Sequence, residues 1–478
     1  MLKTVPDPNA SAKPSMTELQ KMFSAALDDR LENGDFAMRE QTALALANEV
    51  VRVDLTGALE GIVAEHGAED VLVDGHRFRF HAWGKGIYPS LVGGLEVQRP
   101  TFREVGVRNG PTVVALDLSA GLVEGMTPAL AERVVRGKAQ GPSRDLLEDL
   151  LASHRVPPSR TTLEKKGNAL GAVVHRRQAV IHAVARRAEK LPPSARTLVL
   201  GLDRTSAPME EKAPEGTLKR QRKKPYSRKA PSPVTVNYRM AFVGTVAIAD
   251  DNADALCVYK YGATAKDGPA NILHAMMQDV RRAISQDTQL RIIVVQDAAK
   301  EMWKHVIAAL IDEPSVKEWH ELVDHYHAMA HLWAAAEAME RDAESIMAEW
   351  KAALRQDDDA ILAIQKTLEH EIQQGYVPAR RIAMEAELTF IINNGARMRY
   401  ASLREAGCPI GSGVTEGACK SFFSIRCKRS GQRWHNEGLR ATLACRTLLM
   451  NHRLKRAMNT LRRRYYFAEI QPVAKLAA

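Results

Sequence analysis

The sequence predicts an α/β fold, because strand and helix patterns alternate along its central part. Between residues 193 and 335, short apolar runs bounded by turn residues are followed by segments in which apolar residues recur at helical spacing. Residues 336–405 keep the helical spacing and carry no strand pattern, which predicts an all-helical insertion. A chain of 478 residues is too long for one ordinary core, so several units are expected.

The N-terminal part predicts helix followed by a small sheet. Residues 1–15 contain three prolines among small residues and predict a loose tail. From Met16 to about His66, apolar residues recur at spacings of three and four, which indicates helix. Residues 71–105 alternate apolar and polar side chains between glycine-containing turns, which is the period of an antiparallel sheet. We therefore assign residues 16–135 to an N-terminal α+β region.

Residues 136–192 predict two helices joined by a turn. Ser143 is placed to cap a helix that ends near Ser153, and after a two-proline turn Ser159 opens a second, basic helix. This is the arrangement of a helix-turn-helix DNA-binding unit, although any αα-hairpin has the same pattern. The basic residues that we predict to contact DNA are Arg160, Lys165, Lys166, Arg176 and Arg177.

Two apolar runs in the central part each end in an aspartate. "RTLVLGLD" ends at Asp203 and "LRIIVVQD" ends at Asp297. Ligand sites of α/β sheets lie at the carboxyl ends of strands, where two carboxylates repel each other unless a divalent cation lies between them. Oxygen ligands without a histidine and cysteine cage favour Mg²⁺ over Zn²⁺. The alternative is ordinary strand-end polarity or, for Asp297, capping of the following helix.

A third apolar strand is predicted to end at Asp324, beside His325 and His327. Asp324 is a reserve candidate for the metal site, and the two histidines are auxiliary candidates that would orient a phosphate or a metal-bound water. The alternative for the histidines is simple strand alternation, with one ring buried and one exposed. Between the first two strands, residues 218–233 ("LKRQRKKPYSRKAPSP") have no apolar period and predict a flexible cationic connection.

Positive charge is concentrated near the C-terminus. From Lys420 to Arg464 there are thirteen Lys and Arg residues against one acid, Glu437, a net charge of +12 in a chain whose total is +10. A field of one sign and this size is typical of a surface that binds a polyanion, and the aromatic residues within the segment favour nucleic acid. The alternative is a basic tail that only aids solubility.

Three further features of the sequence bear on the cellular compartment in which the protein is expected. The first fifteen residues lack the apolar core of a signal peptide, and no stretch reaches the ~18 uninterrupted apolar residues of a membrane span. Five cysteines without a C-x-x-C pair indicate neither a disulfide framework nor a structural zinc site. We expect a cytoplasmic protein with reduced thiols and no membrane partner.

The stretch "GSGVTEGACK" begins like a dinucleotide-binding loop and then departs from it. Gly411 and Gly413 fit the G-x-G-x-x-G pattern, but Glu416 occupies the third glycine position, where a carboxylate would repel a pyrophosphate. Glu416 instead lies in the first turn of a predicted helix, where the helix dipole tolerates an acid. It is therefore the candidate for a third carboxylate beside Asp203 and Asp297.

The residues from Cys408 to Asn451, "CPIGSGVTEGACKSFFSIRCKRSGQRWHNEGLRATLACRTLLMN", resemble the C-terminal signature of bacterial insertion-sequence transposases of the ISKra4 type. "LGLDRT", "VVQDAAKEMW" and "VDHYHAMAHLW" are similar to that family's two aspartate strands and to its following D-x-Y-H segment. Ala298 and Ala299 depart from the Gly-Ala that usually follows the second aspartate.

The resemblance implies a ribonuclease-H-like catalytic core in two parts. The first part is residues 193–335, and the second part, with the basic helices, is residues 406–466. The helical insertion at 336–405 lies between them, and a tail follows at 467–478. It implies a DDE transposase in which Asp203, Asp297 and Glu416 hold Mg²⁺ (or Mn²⁺). The partners would be terminal-repeat and target DNA, bound by at least a homodimer in the bacterial nucleoid. The residues expected to bind backbone phosphates are Lys420, Arg426, Lys428, Arg429 and Arg433.

Two other functions remain open. One is a non-catalytic, domesticated DNA-binding protein that uses the same basic surface, and the other is a nuclease of the same fold that cuts without joining. A complete carboxylate triad speaks against the first. An enzyme with a nucleotide cofactor is disfavoured, because Glu416 is acidic and no strand pattern precedes the glycines.

Overall fold

The computed structural model describes residues 16–29, 35–213, 234–339 and 341–473. The chain forms two compact units. The N-terminal unit comprises Met1–Val134, Pro142–Glu164 and Leu461–Ala478, and the central unit comprises Val135–Gly141 and Lys165–Thr460. The predicted loose tail at residues 1–15 and the cationic connection at 218–233 lie outside the described residues.

The strands are β1 Val71–Val73, β2 His76–Ser90, β3 Gly93–Glu104, β4 Thr112–Val113, β5 Thr197–Lys212, β6 Val234–Ala249, β7 Ala255–Ala263, β8 Arg291–Gln296, β9 His320–Val323 and β10 Ile470–Pro472. The helices are α1 Met16–Asp29, α2 Phe36–His66, α3 Ala115–Ser119, α4 Pro128–Gln140, α5 Ser143–Ala152, α6 Arg160–Arg176, α7 Gln178–Arg186, α8 Ala270–Gln286, α9 Lys300–Ile311, α10 His325–Ala338, α11 Ala343–Gln356, α12 Ala360–Ile372, α13 Pro378–Asn394, α14 Tyr400–Glu405, α15 Gly413–Ala418, α16 Ile425–Cys427, α17 Asn436–Met450 and α18 Leu454–Leu461. Short 3₁₀ and π-helical segments lie at Gly395–Arg397, Cys419–Ser424 and Arg462–Tyr466.

The N-terminal unit contains an antiparallel sheet with the strand order β10-β1-β2-β3-β4. Apolar side chains of β2 and β3, among them Tyr88, Leu95 and Val97, pack on Leu59 and Val63 of α2. The antiparallel sheet predicted from residues 71–105 is therefore confirmed. The C-terminal part was predicted as a tail from residue 467, but β10 pairs with β1 and completes this sheet.

The region from Met16 to about His66 is predicted to be helical, and its described residues form two helices, α1 and α2. The second begins after Asp35, whose carboxylate accepts a hydrogen bond from the Met38 amide at 2.9 Å. An aspartate at an N-cap satisfies one of the amides that the first helical turn leaves unpaired. The sequence pattern missed this start because the apolar spacing continues on both sides of it.

The helix pair predicted in residues 136–192 is present as α5 and α6, connected by residues 153–159. Ser143 is the first residue of α5 and not its cap, because the N-cap position is Pro142. Ser159 does precede α6, and its hydroxyl accepts the Thr162 amide at 3.3 Å. The boundary between the two compact units falls inside α6, between Glu164 and Lys165.

The central unit is built on a mixed sheet with the order β7-β6-β5-β8-β9. β6 and β7 run antiparallel to their neighbours, whereas β8 is parallel to β5 and β9 is parallel to β8. The apolar runs of β5 and β8 are buried in the core of this unit, including Leu198, Leu200, Ile293 and Val294. The predicted α/β class is confirmed at this level.

A helical segment follows β9 and precedes α15 along the chain. It contains α11, α12 and α13, whose buried apolar residues recur at helical spacing, for example Trp350 and Leu354 in α11 and Ile361 and Ile364 in α12. The sequence predicted helix throughout this region, and the helices are confirmed. Among the described helices, none is both long and apolar enough to cross a membrane.

Candidate functional site: a carboxylate cavity at the centre of the mixed sheet

Asp203 lies on β5 just past the point where β5 separates from β8. The parallel pairing of the two strands ends at Leu200, whereas the antiparallel pairing of β5 with β6 continues to Lys212. The prediction that the strand ends at Asp203 is therefore wrong, but the position of Asp203 beyond the last parallel pair is preserved. Its Oδ1 accepts the Arg204 amide at 2.6 Å, and its Oδ2 accepts the thiol of Cys419 at 3.2 Å.

Asp297 directly follows β8 and is half-buried. Its Oδ1 accepts the amide of Ala299 at 3.1 Å, and its carbonyl accepts the indole N–H of Trp303 at 2.9 Å. The alternative that Asp297 is the N-cap residue of the following helix is wrong, because the N-cap residue of α9 is Ala299. The side chain of Asp297 is held at the turn between β8 and α9.

Asp324 follows β9 and caps α10. Its side chain is 2% exposed, Oδ2 accepts the His327 amide at 2.9 Å, and Oδ1 accepts the Ser412 amide at 2.6 Å. The second hydrogen bond ties the start of α10 to the residue that precedes α15. Asp324 therefore fixes the position of the helix that carries Glu416.

The structure separates the two auxiliary histidines. The strand ends just before Asp324, as predicted, and His325 and His327 lie in the first turn of α10, so the alternative of strand alternation for the two rings is wrong. The ring of His325 packs edge-on against Tyr326 and Tyr400, and burial lowers its pKa. His327 alone of the pair lines the cavity described below.

Glu416 lies in the first turn of α15, as predicted, and its Oε1 accepts the hydroxyl of Ser412 at 3.1 Å. The next residue back, Thr415, fixes this helix against the sheet, because its hydroxyl hydrogen-bonds to that of Thr245 at 2.8 Å. A Cβ at Gly201 of β5 would collide with the Thr415 hydroxyl. Glycine at 201 therefore permits the close approach that brings α15 beside Asp203.

The glycines before Glu416 differ in whether their backbone conformation requires glycine. Gly411 and Gly413 adopt ordinary backbone angles, so no left-handed conformation is needed at either. Gly407, four residues before Gly411, does require glycine, since its φ is +69° and a Cβ there would collide with the carbonyl of Asp251. The left-handed backbone conformation in this segment is therefore at Gly407 and not at Gly411 or Gly413.

These side chains line one cavity of about 160 Å³. Its lining residues are Leu202, Asp203, Val295, Gln296, Asp297, Asp324, His327, Ser412, Thr415 and Glu416. Four carboxylates from four different elements therefore surround one space. Within the described part of the chain, none of the four is ion-paired to a Lys, Arg or His side chain; their polar partners are backbone amides, one hydroxyl and one thiol.

No protein-family model matches this chain, and a comparison with curated proteins finds no match either.

The donor set of the cavity fits a hard divalent cation. Carboxylate oxygens are the ligands that Mg²⁺ and Mn²⁺ prefer, and uncompensated carboxylates around one space attract a cation. In the residues that the structure describes, no three His, Cys, Asp or Glu side chains are already gathered to hold a metal ion. Binding would therefore require the carboxylates of Asp203, Asp297 and Glu416 to exchange their local hydrogen bonds for the ion.

A π-helical segment, Cys419–Ser424, follows the helix that carries Glu416. It carries Cys419, whose thiol donates to Asp203 and whose pKa is raised by burial and by the neighbouring carboxylate. π-Helical turns are rare and are often found at functional sites. The five cysteines are all unpaired, in agreement with the reduced thiols expected from the sequence.

The predicted phosphate-binding residues after Glu416 divide into two groups. Lys420, Lys428, Arg429 and Arg433 are exposed, and Arg433 forms an ion pair with Glu210 at 3.0 Å. The prediction for Arg426 is wrong, because this residue is 3% exposed.

Arg426 is a structural residue of the C-terminal helices. Its Nε donates to the carbonyl of Lys138 at 3.0 Å, and its guanidinium lies 4.9 Å from the ring centre of Trp434. Burial lowers its pKa to about 10. Arg446 is likewise buried and donates to the carbonyl of Ala139. The net charge counted along the sequence therefore overstates the charge that this segment presents to solvent.

Most of the basic residues that are predicted to contact DNA from the helix pair are exposed to solvent. Arg160, Lys165 and Arg176 are exposed on α6, Lys166 is half-buried on the same helix, and Arg177 is exposed at the start of α7. Gly171 faces α17, where a Cβ would collide with the backbone of Ala441. One face of α6 is therefore packed, and the basic residues lie elsewhere on its surface.

The sequence reasoning missed three residues of the candidate site, of which Gln296 and Ser412 line the cavity and Cys419 contacts Asp203. Gln296 immediately precedes Asp297, Ser412 bonds both Asp324 and Glu416, and Cys419 reaches Asp203. A glycine inside the "VLGLD" strand pattern was the available signal for the close approach at Gly201. Nothing in a single sequence distinguishes Gln296 from any other strand-end residue.

Proposed function

We propose that this protein is a DNA transposase of an insertion sequence, which binds the ends of its element and catalyses cation-dependent DNA cleavage and strand transfer. The observation that carries the proposal is the set of four carboxylates in one cavity, contributed by β5, the turn after β8, the N-cap of α10 and α15, without an ion-pair partner among the described residues. A polypeptide that gathers such a set without compensating it favours a cation from solution.

Asp203, Asp297 and Glu416 would hold Mg²⁺ (or Mn²⁺). A divalent cation there lowers the pKa of water and stabilises negative charge on the leaving oxygen of a phosphodiester. Asp324 has a different part, because both of its oxygens already accept backbone amides at the ends of two elements. It keeps Ser412, and through it Glu416, in position.

Two reactions would use this site in turn. In cleavage, the oxygen of a water molecule bonds to phosphorus at the element's end, the bond from phosphorus to the 3′ oxygen breaks, water loses a proton, and the 3′ oxygen gains one. In strand transfer, that 3′-hydroxyl oxygen bonds to a phosphorus of target DNA and loses its proton, the bond from this phosphorus to the target 3′ oxygen breaks, and the target 3′ oxygen gains a proton. No covalent link to the protein forms, so the side chains act by holding the reactants in line.

The exposed cations after Glu416 would hold the DNA backbone. Lys420, Lys428, Arg429 and Arg433 follow the third carboxylate closely in the chain and are exposed to solvent. Contacts of this kind fix the position of a duplex but carry little sequence information. Each phosphate neutralised adds about 0.9 to the slope of log affinity against log salt for duplex DNA.

The family and the finer fold rest on the sequence resemblance to ISKra4-type transposases. A mixed five-stranded sheet in which Asp203, Asp297 and Asp324 lie just beyond the parallel pairing of their strands supports a ribonuclease-H-like core. The helices α11 to α13 stand in the chain where an insertion before the third carboxylate is expected. A dimer or larger assembly on DNA is part of this proposal, because two element ends must be joined.

The test is end cleavage and strand transfer with purified full-length protein. The substrate is a set of labelled duplexes that carry the DNA flanking the gene, incubated with Mg²⁺ or with EDTA. We expect Mg²⁺-dependent cleavage that falls roughly a hundredfold or more in Asp203→Asn, Asp297→Asn and Glu416→Gln. Asp312→Asn is the matched control, because Asp312 is an exposed carboxylate at the C-terminus of α9, outside the cavity.

The outcomes separate the alternatives. A protein that binds the duplexes and never cleaves them is the non-catalytic DNA-binding protein. Cleaved ends without joined products indicate the nuclease. If any of the three cavity variants cleaves as well as the wild type, the assignment of that carboxylate is wrong.

A further inference from the structure

Gln296 is a buried residue at the carboxylate cavity whose side-chain amide makes no hydrogen bond to the described residues. It is the last residue of β8, is 2% exposed and lines the cavity. Its backbone carbonyl is occupied by the amide of Asp324 at 2.8 Å. Neither Nε2 nor Oε1 of its side chain has a hydrogen-bond partner among the described residues.

This deficit is unusual even within this protein. Arg282 and Arg426 are buried and each leave one nitrogen without a partner, but both hydrogen-bond through another nitrogen. Gln296 lacks partners at its donor and at its acceptor. Because a buried amide without hydrogen bonds is destabilising, an apolar side chain of similar length would suit a purely structural role better.

The surroundings define what would satisfy the amide. The other polar groups of the cavity wall are mainly carboxylates, which only accept hydrogen bonds when ionised. Gln296 adds an uncharged N–H donor and a second kind of acceptor to this wall. A cavity of about 160 Å³ has room for several water molecules, each of which needs polar partners.

We propose that Gln296 orients the attacking water in the cleavage step. Its Oε1 accepts a hydrogen bond from that water, and its Nε2 donates to a non-bridging oxygen of the scissile phosphate. A glutamine that holds an attacking water is an established solution in phosphoryl transfer, since the amide directs the lone pair of water at phosphorus and stays neutral throughout. The inference rests on the proposed function and adds to it a residue beyond the three carboxylates.

The inference distinguishes the two reactions. Water is a free molecule, and its orientation depends on the groups that hydrogen-bond to it. The 3′-hydroxyl that attacks in strand transfer is held by its own DNA strand, so it has less to gain from a protein amide. Loss of the Gln296 amide should therefore slow cleavage much more than strand transfer.

The test compares Gln296→Met with wild type on two substrates, intact element ends and ends supplied with a free 3′-hydroxyl. We expect cleavage of intact ends to fall roughly a hundredfold and joining of the supplied ends to change by less than about threefold. Gln98→Met, at an exposed position of β3, is the matched control and should leave both reactions unchanged.

Two measurements that do not depend on activity separate this role from a structural one. The melting temperature of Gln296→Met should equal or exceed that of wild type, because the variant removes unpartnered polar atoms from a buried position. Calorimetric titration with Mn²⁺ should give an unchanged affinity, because the carboxylates remain. A lower melting temperature, or weaker Mn²⁺ binding, would overturn the inference in favour of a structural or ion-binding role.

The rates of cleavage and joining also test whether Gln296 orients the attacking water. The inference is wrong if Gln296→Met cleaves intact ends within about threefold of wild type, or if both reactions fall together. If the wild-type protein joins supplied ends and cleaves intact ones, the proposed function stands whatever Gln296 does. If it does neither with Mg²⁺, the proposed function fails and the inference fails with it.

Discussion

Asp279 and the carboxylates of the cavity both lie in the central unit, but their charges have opposite surroundings. Asp279 of α8 is 1% exposed and is fully compensated: it accepts Arg186 Nε at 2.7 Å, Arg453 Nη2 at 2.7 Å and the hydroxyl of Tyr261. The carboxylates of the cavity have backbone amides, a hydroxyl and a thiol as partners, and none has an arginine or lysine among the described residues.

The two places differ in whether the fold itself neutralises the carboxylate. A buried carboxylate that the fold itself neutralises has a complete set of partners and no capacity for a further cation. A group of carboxylates that the fold leaves without cations keeps a local excess of negative charge and the lone pairs to bind an ion. The type of residue is the same in both places, and only the partners differ.

The largest effect on stability is expected from Asp279→Asn. This change leaves Arg186 and Arg453 buried without a negative partner at that position, and breaking a buried ion pair from one side costs about 3–5 kcal/mol. Urea unfolding followed by circular dichroism should report this loss. An unchanged midpoint and slope would mean that the buried arginines are neutralised elsewhere, for example by Glu189 alone.

The same type of substitution in the cavity should not destabilise the protein. Asp297→Asn removes one of several like charges, so stability in EDTA should be unchanged or slightly higher. Addition of Mg²⁺ at about 100 times its dissociation constant should stabilise the wild-type protein by about 2.7 kcal/mol and the variant by less. Thermal unfolding with and without Mg²⁺ measures both. Equal Mg²⁺ stabilisation of the two proteins would contradict a role for Asp297 in cation binding.

A smaller, pH-dependent effect is expected at His182, which lies beside Asp279's partners. Its Nδ1 is 3.3 Å from Arg453 Nη1, and burial, followed by the charges of Arg453 and Arg186, lowers its pKa well below the usual value. Above pH ~6.5 the ring is neutral in both folded and unfolded chains. Below that value only the unfolded chain binds the proton, so stability falls as the pH falls.

At pH 5.5 this linkage should make the protein less stable by about 1.4 kcal/mol than at pH 7.5. His182→Gln should remove that part of the acid dependence, which urea unfolding at the two pH values can measure. A variant that retains the whole slope would show that other groups cause it. These two predictions sharpen the comparison, because the compensated cluster is expected to respond to protons and the cavity to divalent cations.

Much of this architecture follows from short-range patterns. The apolar runs before Asp203 and Asp297 give strands because consecutive branched residues fill the two buried faces of a central strand. The helices of α11 to α13 follow from apolar spacing, and the small sheet of residues 71–105 follows from alternation. Glu416 was recognisable because an acid interrupts a glycine and cation pattern.

The sequence is least informative where contacts made only in the folded chain determine the position of a side chain. The end of the strand at Asp324 is predicted correctly, but the alternation in "HELVDHYH" gives no sign that Asp324 caps α10 and that both histidines lie in the first turn of that helix. Arg426 looks like its exposed neighbours in the sequence, and only the packing of Trp434 and the carbonyl of Lys138 buries it. The missing partners of Gln296 are a property of the folded cavity and cannot be seen in any local pattern.

The position of β10 has a consequence for synthesis of the protein. The strand at Ile470–Pro472 covers an edge of β1 at Val71–Val73, and the whole of residues 165–460 is translated between them. At ~5–20 residues per second, the nascent N-terminal sheet waits on the order of tens of seconds with an open edge. An unpaired edge is a site for incorrect pairing with other chains. A chain that ends before residue 470 lacks β10 and therefore leaves the backbone groups along this edge of β1 without their strand partner.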